Sequence, residues 1–246
     1  MKIVNWEVSP IKLDLPDCCV HLWKSELDVS SSKLEHLAKS LSADEIARAN
    51  RFKFLEHKNR FIAARGFLRQ ILSKYLQKSA KDIVLKYSDR GKPLLVNTDI
   101  RFNISHSQNI ALYCVTRHNP IGVDLEYLKK KIEHDKIASR FFNESEYRAI
   151  TELIPDKRNQ AFFQLWTIKE AYLKATGEGL GGGLETVTVK LDNDLQTEVK
   201  AIGSDRNEIN NWCFWSFIPQ ENFVSTVAVK TKSLKQSRLN IQYYSL

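Results

Sequence analysis

The chain has 246 residues, 43% of them hydrophobic, a size that buries roughly 70 to 75% of the unfolded surface and supports one sizeable core or two small ones. No apolar run approaches the roughly 20 residues of a membrane span, and the opening MKIVNWEVSP lacks the charged-then-apolar pattern of a secretion signal, so a globular protein with a cytoplasmic address is expected. Cysteines at 18, 19, 114 and 213 show no CxxC spacing, which argues against a zinc site or a disulfide framework, while 37 Lys+Arg against 29 Asp+Glu gives +8, a balance that suits nucleic acid, a polyphosphate ligand or an acidic protein partner equally.

Residues 3–8 and 19–24 alternate as short strands, and Ser42-Ala-Asp-Glu45 reads as a capping box opening a helix to about Arg51. From Leu55 to Leu76 apolar residues recur at helical spacing (Phe61, Ala64, Leu68, Ile71, Leu72, Tyr75), with Arg60, Arg65 and Arg69 interleaved. Strands are predicted at 83–87, 100–104, 110–116 and 121–125. Asn143-Glu-Ser-Glu146 is a second capping box before a helical Tyr147 to Leu153, and a further helix is predicted from about Asp156 to Thr176, stopped by Gly177. The glycine cluster at 177–183 ends a helix and lacks the GK[ST] of a phosphate loop, so it reads as a flexible connection. Segments 185–191, 212–218, 224–230 and 239–244 have strand composition. A weak internal echo pairs Arg51-Phe52 with Arg140-Phe141 and Arg65-Gly-Phe-Leu-Arg69 with Glu170-Ala-Tyr-Leu-Lys174, at unequal offsets that an insertion would reconcile.

Two segments carry candidate chemistry. On a helix, Trp166, Glu170 and Lys174 share one face; on a strand, Asp124 and Glu126 point the same way. Three carboxylates and an ammonium can therefore converge as a metal-dependent phosphoryl-transfer centre. The plainer alternatives are two solvated acids at a strand end and an exposed i,i+4 ion pair contributing about 0.3 to 0.5 kcal/mol. Against them, Ile121-Gly-Val is apolar and the flanks of Glu170 are apolar nearly all round, so charges there need partners. Gly91-Lys92-Pro93 is a turn in its own right, and His106, just past a strand, is equally a structural hydrogen-bonder.

In this order, GKP, FNISHS, GVDLE, FFNESEY and WTIKEAYLKATGEGL resemble the Sfp-type 4′-phosphopantetheinyl transferases, nearer the W/KEA branch, over about residues 42–190. The resemblance implies an α/β (α+β) fold of two similar halves related by a pseudo-twofold axis, here residues 1–117 and 118–246, with coenzyme A in the cleft between them. It implies a monomer that moves phosphopantetheine from coenzyme A to a serine of an acidic acyl or peptidyl carrier protein, releasing adenosine 3′,5′-bisphosphate. By the same resemblance Asp124, Glu126 and Glu170 hold Mg²⁺ or Mn²⁺, Glu170 or a water on it is the base, and Lys174 stabilises the pyrophosphate. Arg48, Arg65, Lys92, Ser105 and His106 match coenzyme A positions, with Ser105 and His106 at the 3′-phosphate. Phe141, Phe142 and Trp166 are candidates for a carrier-facing groove or for core packing. One departure is Glu45, where some members carry a lysine, so nucleotide contacts from that helix are not expected of it.

Two rivals stand beside this reading. A carrier-binding module of the same fold without catalysis would not need all three carboxylates and Lys174. A nucleic-acid-binding protein would present basic residues interleaved with aromatics on strands, and here they are spread over helices.

Overall fold

Strand alternation and the periodicity of two long helices sort the apolar side chains into three cores, and the way these stack sets the molecule's plan. The computed structural model describes every residue except 12, 18, 130–132, 180–182, 206 and 232–238. The first half contains β1 (Glu7–Val8), β2 (Cys19–Glu26), α1 (Ser31–Ala38), α2 (Ala43–Ala49), α3 (Leu55–Leu76), β3 (Lys86–Tyr87), β4 (Pro93–Leu94), β5 (Ile100–Ser107) and β6 (Ile110–Arg117). There follow β7 (Ile121–Tyr127), α4 (His134–Phe141), α5 (Glu144–Thr151), α6 (Pro155–Thr176), β8 (Val187–Leu191), β9 (Thr197–Ile202), β10 (Trp212–Phe217), β11 (Phe223–Lys230) and β12 (Asn240–Ser245).

The first sheet has the order β1-β12-β2-β6-β5, and the second, antiparallel throughout, the order β10-β11-β7. Odd and even residues of a strand face opposite ways. Trp23, Tyr113 and Val115 pack with Phe67, Leu68 and Ile71 of α3, whereas Leu22, Leu112 and Cys114 meet Ile121, Val123 and Leu125 of the second sheet. The far face of that sheet, including Val224 and Ala228, lies against α6 with Phe162, Leu165 and Ile168. The result is four layers, helix, sheet, sheet, helix, a mixed α/β architecture of two similar halves.

The likeness of the halves extends to their buried polar clamps. Ser42 and Asn143 both close capping boxes, with Glu45 and Glu146 as the returning acids. Arg69 on α3 pairs with Glu45 at 2.7 Å and donates to the carbonyls of Ala80 (3.1 Å) and Ile83 (2.8 Å). Lys169 on α6 pairs with Glu146 at 2.9 Å and donates to the carbonyls of Leu184 (3.0 Å) and Val187. Equivalent residues thus lie about 100 residues apart. The structural match of Arg69 is Lys169, so the echo that paired it with Lys174 is replaced by a more regular one. Glu45, the departure noted in the sequence, is an internal acid 2% exposed and held by Arg69.

Several boundaries move. The strand expected at 3–8 is reduced to Glu7–Val8, with Ile3 forming an isolated bridge to Ile218. The strands expected to begin at 83 and 185 begin at Lys86 and Val187, because 3₁₀ turns at Ala80–Asp82 and Leu184–Thr186 supply the carbonyls that Arg69 and Lys169 clamp. α1, α4, β4 and β9 were not anticipated. β12, although it follows residue 118, pairs parallel with β2 in the first sheet. Of the glycine cluster, Gly177 ends α6 at φ 84°, and 180–182 lie outside the described residues. Cys19, Cys114 and Cys213 are buried thiols, and no described helix is long and apolar enough to cross a membrane.

Candidate active site

β7 and α6 touch at Gly122. A Cβ there would fall 2.1 Å from the carbonyl oxygen of Ala171 and 2.4 Å from the amide nitrogen of Ala175, distances no packed atom tolerates. Only glycine lets the strand lie this close to the helix. Two residues on, with the same facing, comes Asp124, 3% exposed. Its Oδ1 accepts from Lys174 Nζ at 2.5 Å and from Ser105 Oγ at 3.2 Å. Lys174 Nζ also reaches Ser105 Oγ at 2.9 Å.

Glu170, one turn before Lys174 on α6, is 8% exposed. Burial, then the negative charge of Asp124, and more weakly that of Glu126, push its carboxyl up to about 7, with Lys174 opposing. The three acids therefore share one field, as the spacing on strand and helix predicted. They are not drawn into a compact cage: among the described residues no three His, Cys, Asp or Glu side chains form a ready group for a metal ion. Asp124 Oδ2 and Glu170 Oε1 are buried without a hydrogen-bond partner. Orphaned carboxylate oxygens of this kind are costly, and a hard divalent cation, which takes oxygen ligands, would relieve the cost.

Beside this cluster opens a cleft of about 450 Å³ between the halves, lined by Arg48, Arg65, Arg90, Lys92, His106 and Lys174. Through Arg48, Phe52 and Gly91 it continues into a more apolar hollow of about 630 Å³. Arg65 is 8% exposed, its guanidinium 5.5 Å from the Phe61 ring and 5.9 Å from that of Tyr87, and its Nη1 is buried without an acceptor. A guanidinium stays charged, so that nitrogen is an unfilled donor on a residue that lines the cleft. Arg48 is exposed and lies over Phe61 at 5.5 Å. His106 is an exposed residue of the cleft wall whose imidazole is lowered by desolvation against that wall and by the cations of Lys174 and Arg65.

Two residues matched to coenzyme A positions have their polar atoms engaged within the protein. Lys92 Nζ donates to the carbonyls of Lys174 and, at 3.0 Å, Ala175, so it caps the C-terminal end of α6 from the opposite half. Burial lowers its pKa. Ser105 is engaged by Asp124 and Lys174. Of the candidates for a carrier-facing groove, Phe142 is 7% exposed and stacks on Phe162, which stacks in turn on Trp166, while Phe141 is 38% exposed. Asn103 stands on the same polar face of β5 as Ser105 and Ser107, an alternation visible in FNISHS that marks one face of the strand as polar.

Residues 120–228 match the family model of the 4′-phosphopantetheinyl transferase superfamily, and residues 25–117 match that of the 4′-phosphopantetheinyl transferase N-terminal region. The chain is 40% identical to 4′-phosphopantetheinyl transferase HetI of Nostoc sp. over 229 residues, covering 92% of this chain and 93% of that protein. It is 30% identical to 4′-phosphopantetheinyl transferase Sfp of Bacillus subtilis over 70% of this chain and 76% of that protein, and 31% identical to psf-1 of Bacillus pumilus over 68% and 71%.

Proposed function

From its membership of the 4′-phosphopantetheinyl transferase superfamily, we propose that this chain transfers the phosphopantetheine arm of coenzyme A to the hydroxyl of a serine on an apo acyl or peptidyl carrier protein. The observation that carries the reading is the meeting of Asp124, Glu170 and Lys174 at the head of a cleft lined with arginine and lysine. In the reaction the serine oxygen bonds to the β-phosphorus, the bond from that phosphorus to the bridging oxygen breaks, and adenosine 3′,5′-bisphosphate leaves.

Arg65 and His106, with Arg48 at the rim, bind the nucleotide phosphates as fixed donors and so set the pyrophosphate's place. Glu170 accepts the serine proton, directly or through a water. Lys174 stabilises charge on the pyrophosphate and leaving oxygen. Asp124, Glu126 and Glu170 would hold Mg²⁺ or Mn²⁺, and the orphaned oxygens of Asp124 and Glu170 suit such an ion. When bound, a divalent cation supplies Lewis-acid neutralisation of phosphate oxygens. The +8 balance favours an acidic carrier. We assign the enzyme to the cytoplasm as a monomer.

Purified protein incubated with coenzyme A, Mg²⁺ and an apo carrier should raise the carrier's mass by ~340 Da, the increment of one cofactor arm on one nucleophile. An unchanged carrier mass, across a panel of apo carriers, would refute the function. Asp124→Ala and Glu170→Ala should abolish the increment, and His106→Ala should mainly weaken coenzyme A binding.

A further inference from the structure

β7 is an edge strand, bonded to β11 on one side only. The N–H groups on its other side are buried between the sheets and need acceptors. β5 supplies them from side chains: Val123 N donates to Asn103 Oδ1 at 2.9 Å, Leu125 N to Ser105 Oγ at 3.2 Å, and Tyr127 N to Ser107 Oγ at 3.2 Å. Three alternate residues of one strand thus serve three alternate amides of the other, a ladder that joins the halves in a single register.

The middle rung differs from its neighbours. A hydroxyl has one proton and two lone pairs. In Ser105 the proton goes to Asp124 Oδ1 at 3.2 Å, and the lone pairs receive Leu125 N at 3.2 Å and Lys174 Nζ at 2.9 Å. No donor remains for a phosphate oxygen. We propose that Ser105 is a positioning residue, which ties Asp124 and Lys174 of the second half to a strand of the first and so sets the reacting geometry without contributing to nucleotide affinity. The inference rests on the proposed transferase activity.

The test compares Ser105→Ala, Ser105→Thr and Ser107→Ala by carrier modification, calorimetric coenzyme A binding and thermal unfolding. Ser105→Ala should lower kcat at saturating coenzyme A by about tenfold or more while its Kd for coenzyme A stays within about threefold, the signature of a lost transition-state arrangement. Ser105→Thr, which keeps the hydroxyl, should recover most of kcat. Ser107→Ala removes a rung that touches neither Asp124 nor Lys174, so it should lose similar thermal stability with kcat within about twofold of the parent. If Ser105→Ala does not fold, Ser105→Cys takes its place with the same expectation. Parental kcat in Ser105→Ala, a loss confined to coenzyme A affinity, or an equal loss of kcat in Ser107→Ala overturns the inference. Should the parent itself modify no carrier, the proposed function fails separately, and amide exchange at Leu125 still decides the rung: exchange no faster in Ser105→Ala than in the parent overturns it.

Discussion

His21 is wholly enclosed between α3 and the first sheet, its Nδ1 2.8 Å from the Tyr75 hydroxyl. Burial holds its pKa down, from 6.5 to about 4. Between those values the unfolded chain binds a proton that the folded one does not, so this residue's contribution is intact above pH 6.5 and is lost as pH falls toward 4. The loss amounts to about 3 kcal/mol. Urea midpoints between pH 7 and 4 should therefore fall less steeply in His21→Gln than in the parent. Lys169 sits inside the WTIKEA segment beside Glu170, yet its partners are Glu146 and two carbonyls. Removing it alone leaves a buried carboxylate without a cation, at a cost of about 3 to 5 kcal/mol. Lys169→Met should show this in denaturant unfolding, and adding Glu146→Gln should recover much of it. The placing of Asp124, Glu170 and Lys174 near one another is legible because each spacing sets a facing. The engagements of Lys92 and Ser105 are not, because their partners are tens of residues away in the other half.

At the level of elements, contact between β7 and α6 decides whether the acids meet. Gly122→Ala forces the strand away from Ala171 and Ala175. We expect it to destabilise the fold by about 1 to 3 kcal/mol as overpacking does. We also expect carrier modification to fall by more than the folded fraction, which circular dichroism and turnover measured on the same sample will show. The long helices and both capping boxes were readable because their signals are local. α1 has only two leucines and an alanine in its eight residues, too few for a clear period, whereas β9 (Thr197–Ile202) alternates Glu198 and Lys200 with Val199 and Ala201, a strand pattern the sequence does carry. The 3₁₀ turns that shorten the strands at 83 and 185 are specified by tertiary clamps, which no window of sequence contains.

Across the whole molecule, opposed halves leave a basic cleft between them, and under the proposed function charge should guide an acidic carrier toward it. Raising ionic strength from about 0.05 to 0.5 M shrinks the screening length severalfold. kcat/KM for the carrier should fall accordingly, with kcat at saturating carrier changed far less; steady-state assays at several salt concentrations will separate the two. The pseudo-repeat was faintly audible in the sequence, but its register became clear only when Arg69 and Lys169 were seen gripping matching turns. The place of β12 between β1 and β2 has a bearing on biogenesis. β12 is synthesised long after β2, with Asn240 paired to Cys19, so the first sheet stays open on the ribosome until the second half has emerged. Closing it is a late, long-range event, and the nascent polypeptide meanwhile presents β2 as an uncovered border, the place where a chaperone would be needed.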